Sequence, residues 1–131
     1  MASIQQNIVS LKELGGLPVL NQDTLAQIKM VDGGELGLTK ELFEIFKADT
    51  SIRLSAIKAA VKANDAAKLR EVSHSLKGAC GTIGAARVRA VSAILEAYAK
   101  GLKVEESPDD LLKRLQSAID EAYGALEKYL A

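Results

Sequence analysis

The chain has 131 residues, with 17 Lys+Arg against 17 Asp+Glu and 48% hydrophobic residues. That balance fits one globular domain and excludes a disordered chain or a molecule-wide basic field for nucleic acid. One Cys, one His and no Trp exclude an internal disulfide, a zinc site of three or four Cys/His ligands, and an aromatic platform for single strands. The first 14 residues lack the basic start and apolar core of a signal peptide. No apolar run approaches the roughly 20 residues of a membrane span. A lone thiol suits a reducing compartment, so the expected location is cytoplasmic, with no membrane and no nucleic acid as partner.

Ile4, Ile8 and Leu11 have the spacing of a short first helix, ended by Gly15-Gly16-Leu17-Pro18. A second short helix is predicted from Asp23 to Val31, with Leu25 and Ile28 inward and Gly33-Gly34 as its stop. A long helix follows from Lys40 to about Ala63, with Thr39 as N-cap and Leu38 and Phe43 spaced as a hydrophobic staple. Its inward stripe is Phe43, Phe46, Thr50, Leu54, Ile57 and Val61. Asp65 caps the next helix, which carries Leu69, Val72, Leu76, Cys80 and Ile83 and is expected to fray after Gly81. Val88, Val91, Leu95 and Tyr98 mark a helix from about Ala85 to Lys100. Ser107-Pro108-Asp109-Asp110 opens the last one: a cap, a proline at N1, then acids at the positive end of the dipole. Its stripe is Leu112, Leu115, Ile119, Ala122, Leu126 and Leu130.

Four long helices with one apolar face each and short connections read as an all-α, antiparallel up-down four-helix bundle with one or two short extra N-terminal helices. Residues 1–20 are taken as a helical arm or extension, and 21–131 as the bundle.

A helical wheel places Leu69, Val72, Cys80 and Ile83 within about 40° of Leu76, whereas His74 lies about 160° away. The only histidine therefore faces outward. On that face lie Arg70 at i−4, Lys77 at i+3, Gly78 at i+4 and Gly81 at i+7, with Glu71 at i−3. Each interior glycine costs the helix about 1 kcal/mol relative to alanine. A neutral imidazole flanked by cations, on a surface bare of side chains, suits a nucleophile for a phosphoryl group. Glu71 is the candidate for holding the ring's N–H and fixing its tautomer. The same residues also suit an ordinary solvated face, and the glycines a close helix contact or a fraying end. Cys80 falls on the core face as a small buried hydrophobe. No Gly-Lys-Ser/Thr follows the glycines, so they are not a P-loop.

His74-Ser-Leu-Lys77-Gly78 followed by Gly84-Ala85 resembles the signature of histidine-containing phosphotransfer domains of multistep two-component phosphorelays. The resemblance runs from about residue 22 to 130 and implies a four-helix bundle. It implies that His74 takes a phosphoryl group from a receiver-domain aspartate and passes it to another receiver, that Lys77 steadies the group, and that Gly78 opens the site. Arg70, Glu71 and Gly81 rest on geometry alone. Ala79-Cys80 stand where many members have two small hydroxyl residues. The implied partners are response-regulator receiver domains and a hybrid histidine kinase. No cofactor or metal is expected on this chain; a divalent metal is expected on the receiver. With no nucleotide-binding signature, the expectation is a monomeric, stoichiometric carrier rather than an ATP-dependent kinase. An adaptor that carries no phosphate, and the phosphoacceptor domain of a chemotaxis-type histidine kinase, stay open. Leu38, Ile45, Ile52, Ala56 and Ala59 form a second apolar stripe on the long helix. It is either a docking surface for a receiver, with Ile45, Ile52 and Ala56 at its centre, or a face covered by the short helix before it.

Overall fold

Three helix starts in this chain are set by short polar side chains, Asn21, Asp65 and Ser107, one residue ahead of the helix. The computed structural model describes residues 11–131; the helical spacing of Ile4 and Ile8 lies outside the described residues. Leu11–Gly16 forms a short 3₁₀ helix. Asn21 caps α1 (Gln22–Val31), its Oδ1 accepting from the Thr24 N–H at 3.2 Å. Helix α2 spans Gly37–Lys62. Asp65 caps α3 (Ala66–Ile83) by accepting from the Lys68 N–H at 3.0 Å. Helix α4 spans Ala86–Ala99. Ser107 caps α5 (Pro108–Leu130) by accepting from the Asp110 N–H at 3.1 Å. Each cap satisfies one of the four N–H groups a helix start leaves without partners.

Two starts are built differently, and the first departs from the sequence expectation. Helix α2 begins before Thr39, which is buried inside its first turn rather than capping it, and the Thr39 hydroxyl has no partner. The cap is supplied from a distance by Asp32, whose Oδ2 accepts from the Leu38 N–H at 2.9 Å. Helix α4 has no side-chain cap. Its entry is fixed by the preceding chain: the Ala86 N–H donates to the Val19 carbonyl at 3.1 Å, and Arg87 Nε to the Leu17 carbonyl at 2.8 Å. Residues 11–20 are thereby fastened to α4, and Leu14 and Leu20 are buried in the core.

Helices α2 to α5 form an antiparallel four-helix bundle, with α1 packed on α2 and α3. Phe43, Phe46, Ile57, Leu69, Leu76, Ile83, Val88, Leu95, Leu115 and Leu126 fill the middle. Burying each such side chain contributes about 1.5–3 kcal/mol. The bundle closes where Tyr123 of α5 meets α2: its ring packs edge-on to Phe43 and Phe46, with centroids 6.0 and 6.1 Å away, and its hydroxyl donates to the Lys47 carbonyl at 3.3 Å. On α5 the fully buried leucine of the first turn is Leu111 rather than Leu112, which packs at the margin of the core. Cys80 is fully buried, and burial pushes its thiol from 9.0 up to about 12 against the pull of Arg89 and Arg53.

Helix α3 does not fray after Gly81. It runs to Ile83 and stops at Gly84, which takes the left-handed conformation with φ 78°. The Gly84 carbonyl accepts from the Asn21 N–H at 2.7 Å. A Cβ at Gly84 would lie 3.1 Å from the Asn21 carbonyl oxygen and 3.0 Å from Thr24 Cβ. Glycine is required here both for the turn and for the close approach of α1. Gly84→Ala is therefore expected to destabilise the bundle by at least about 1–2 kcal/mol, read as a lower melting temperature and a lower denaturant midpoint.

Candidate functional site

His74 lies mid-way along α3, with its side chain 68% exposed. The wheel placement is correct: Leu76 and Val72 beside it are buried, and the imidazole stands out from the bundle. The ring leans toward α4 rather than along its own helix. His74 Nδ1 lies 2.9 Å from Oε2 of Glu96. Lys77, one turn further on, donates from Nζ to Oε1 of the same carboxylate at 2.6 Å. Lys100 adds a third contact, Nζ to Oε2 at 3.6 Å.

Glu96 is only 5% exposed. Burial pushes its carboxyl up, but the hydrogen bonds from Lys77 and His74, with the charges of Lys77 and Lys100, outweigh that and hold it below its ordinary 4.5. It is therefore ionised at neutral pH, and an ionised carboxylate only accepts hydrogen bonds. The ring proton is thus assigned to Nδ1, leaving Nε2 with the free lone pair. No other protein group bonds to Nε2 among the described residues.

This corrects the expected role of Glu71. It lies on the rim of the hollow beside His74, but its carboxylate faces Lys68, 3.5 Å away on its own helix. The tautomer is set from α4 instead. The sequence did hold a signal: Glu96 is the one charged residue between Ala90 and Ala99, where only burial with a partner or a functional task explains a carboxylate. Lys100 was missed for the same reason, its role depending on Glu96.

The shallow hollow at the imidazole is lined by Arg70 and Glu71 from α3, Glu96 from α4 and Lys100 at the C-terminal end of α4. Arg70 has no carboxylate partner among the described residues and is exposed. Lys77 keeps two of its three ammonium hydrogens beyond the one given to Glu96. The arrangement is an outward imidazole, nucleophilic at Nε2, ringed by cations that can meet the oxygens of an anionic group.

The Hpt domain family model matches residues 41–128, more than half of the chain. The chain belongs to the Hpt domain family. The histidine-containing phosphotransfer protein B (HptB) of Pseudomonas aeruginosa PAO1 has a similar structure, with a TM-score of 0.75 and 25% sequence identity over 86% of this chain and 95% of that one. No curated protein matches the sequence. The family is one of histidine phosphotransfer carriers in phosphorelays, working with receiver domains and kinases.

The glycines of this Hpt domain divide by location. Gly78 is exposed on α3, and a Cβ there meets nothing within 4 Å. Gly81 is equally open but lines a different hollow, with Asn21, Thr24 and Arg89 near the end of the helix. Among the described residues no helix is long and apolar enough to cross a membrane.

Nothing in the backbone asks for glycine at position 78, which is helical without a positive φ. Gly78→Ala is expected to raise stability by up to about 1 kcal/mol. Gly78→Gln should leave the fold intact and slow phosphotransfer strongly, because a long side chain then occupies the approach to His74. Melting curves with a receiver transfer assay check both; parental transfer by the glutamine variant would show that a partner approaches from elsewhere.

Proposed function

We propose that this protein is a stoichiometric phosphorelay carrier that accepts a phosphoryl group on Nε2 of His74 from the aspartate of a receiver domain and delivers it to the aspartate of another. The observation that carries this reading is the pairing of His74 Nδ1 with the buried carboxylate of Glu96 at 2.9 Å, which leaves Nε2 free on an exposed ring. Attack on phosphorus then needs no separate base, because the attacking nitrogen bears no proton. As charge shifts between the transferring oxygens, Lys77, Arg70 and Lys100 supply the positive field that steadies them. Gly78 leaves the ring's flank open to the incoming active site. The divalent metal and the acceptor carboxylate belong to the receiver; no ATP-dependent step is assigned to this chain, which acts as a monomer.

The docking surface in this reading is the second stripe of α2. Ile45 is 64% and Ile52 72% exposed, and α1 does not cover them. Ala56 and Leu38 are half-buried, and Ala59 is exposed. Exposed apolar residues along one helix face are the kind of surface a helix of a partner buries. The hybrid histidine kinase enters through its own receiver domain by the same surface.

Two variants separate chemistry from docking. His74→Gln is expected to keep full helicity and to lose all acid-labile, base-stable phosphate when mixed with a phosphorylated receiver. Surviving label in that variant would refute the assignment. Ile52→Glu is expected to weaken receiver binding at least about tenfold, roughly 1.4 kcal/mol, with an unchanged melting temperature; a fall in helicity would show instead that the stripe is needed for the fold.

A further inference from the structure

Attack by Nε2 on phosphorus uses the ring's only in-plane lone pair. The product ring carries the phosphoryl group on Nε2 and a proton on Nδ1, and is cationic. Imidazolium rings in water give up a proton near neutrality, at about pH 6.5. Here that proton points at Glu96 Oε2 across 2.9 Å. Glu96 is 5% exposed, and its other oxygen is held by Lys77 Nζ at 2.6 Å. If Nδ1 lost its proton, a bare ring lone pair would face a carboxylate oxygen across 2.9 Å with no donor between them, and Oε2 would keep only the longer contact to Lys100 Nζ at 3.6 Å.

We propose that Glu96 is a positioning residue that keeps Nδ1 protonated through the whole phosphoryl cycle, so that phosphorylated His74 is held as an N-phosphoimidazolium rather than a neutral phosphoimidazole. This rests on the reading of His74 as phosphoacceptor. In loading, the Nε2–P bond forms, the bond from phosphorus to the donor aspartate oxygen breaks, and the aspartate leaves as a carboxylate with the electron pair. In unloading, the next receiver's carboxylate bonds to phosphorus and the Nε2–P electron pair returns to Nε2. The ring is then again neutral and protonated at Nδ1. No proton moves in either step. A neutral phosphoimidazole would instead have to depart as an imidazolate anion or take up a proton first.

The charged groups around the ring show why this task falls to Glu96. Among the described residues the hollow is lined from α3, from α4 and from Lys100 at the end of α4. Arg70 and Lys77 on α3 and Lys100 at the end of α4 are cations that disfavour a cationic ring. Glu71 is engaged with Lys68. Among the described residues Glu96 is the single anion in contact with the imidazole, and Lys77 and Lys100 hold it ionised.

The test is histidine ¹⁵N NMR of the full chain, phosphorylated with phosphoramidate and titrated from about pH 6 to about pH 9, either side of the ordinary imidazole range of about 6.5. In the parent protein Nδ1 is expected to keep a protonated-type shift throughout. In Glu96→Gln it should change to the unprotonated type within that range, and transfer to a receiver should fall roughly tenfold per pH unit above the change. An unprotonated Nδ1 in the phosphorylated parent by about pH 8 overturns the proposal. So does a transfer rate equal in both proteins at every pH. Should the glutamine variant fail to fold, the titration of the parent decides alone. Phosphate on Nε2 with a bare Nδ1 removes this inference and leaves His74 as phosphoacceptor; no phosphate on His74 at all removes both.

Discussion

A carboxylate that is 5% exposed cannot stay ionised without partners, and the partners Glu96 recruits are residues of the candidate site. Lys77, His74 and Lys100 converge on its two oxygens. The same contacts that keep the charge tolerable inside the bundle orient the imidazole and decide which nitrogen carries the proton. Removing Glu96 would leave a solvated histidine free to turn and to exchange tautomers. The site is thus less a property of the His74 helix than of the seam between α3 and α4.

That seam has a definite register, and Gly84 sets it. His74 stands ten residues before Gly84 and Glu96 twelve after it. In two antiparallel helices joined by a tight turn, with a rise of about 1.5 Å per residue, such positions come to nearly the same height. The turn is tight because Gly84 takes φ 78° and lets α1 press on it through Asn21. Leu17 and Val19 then hold the start of α4. A chain of local constraints, from a glycine to a helix start, thereby places a carboxylate within 2.9 Å of an imidazole 22 residues away in sequence.

Much of the fold was legible in the residues. The caps at Asp65 and Ser107, the glycine stop after α1 and the apolar stripes of α3 and α4 all follow from local chemistry and helical period. Where the reading differed, a tertiary contact had overridden a local rule. Asp32 reaches across from the preceding turn and displaces Thr39 as the cap. Gly84 ends α3 because α1 packs against it, so the expected fraying at Gly81 does not occur. Leu111 takes the inner place assigned to Leu112 because the first turn of α5 faces the core through the neighbouring position. In the site, the outward direction of His74 and the proximity of Lys77 and Arg70 could be read from one helix. The tautomer partner could not, since Glu71 and Glu96 compete only once the packing of a second helix is known.

We infer that Glu96 makes Nε2 of the resting His74 the nucleophilic nitrogen. This is tested most directly by the ¹⁵N shifts of the two ring nitrogens in the unphosphorylated protein above about pH 7.5, where an ordinary imidazole is neutral. Nδ1 is expected to show the protonated shift and Nε2 the unprotonated one, and Glu96→Ala should shift the ring toward a mixture of tautomers. A parent protein in which Nε2 carries the proton would contradict the assignment.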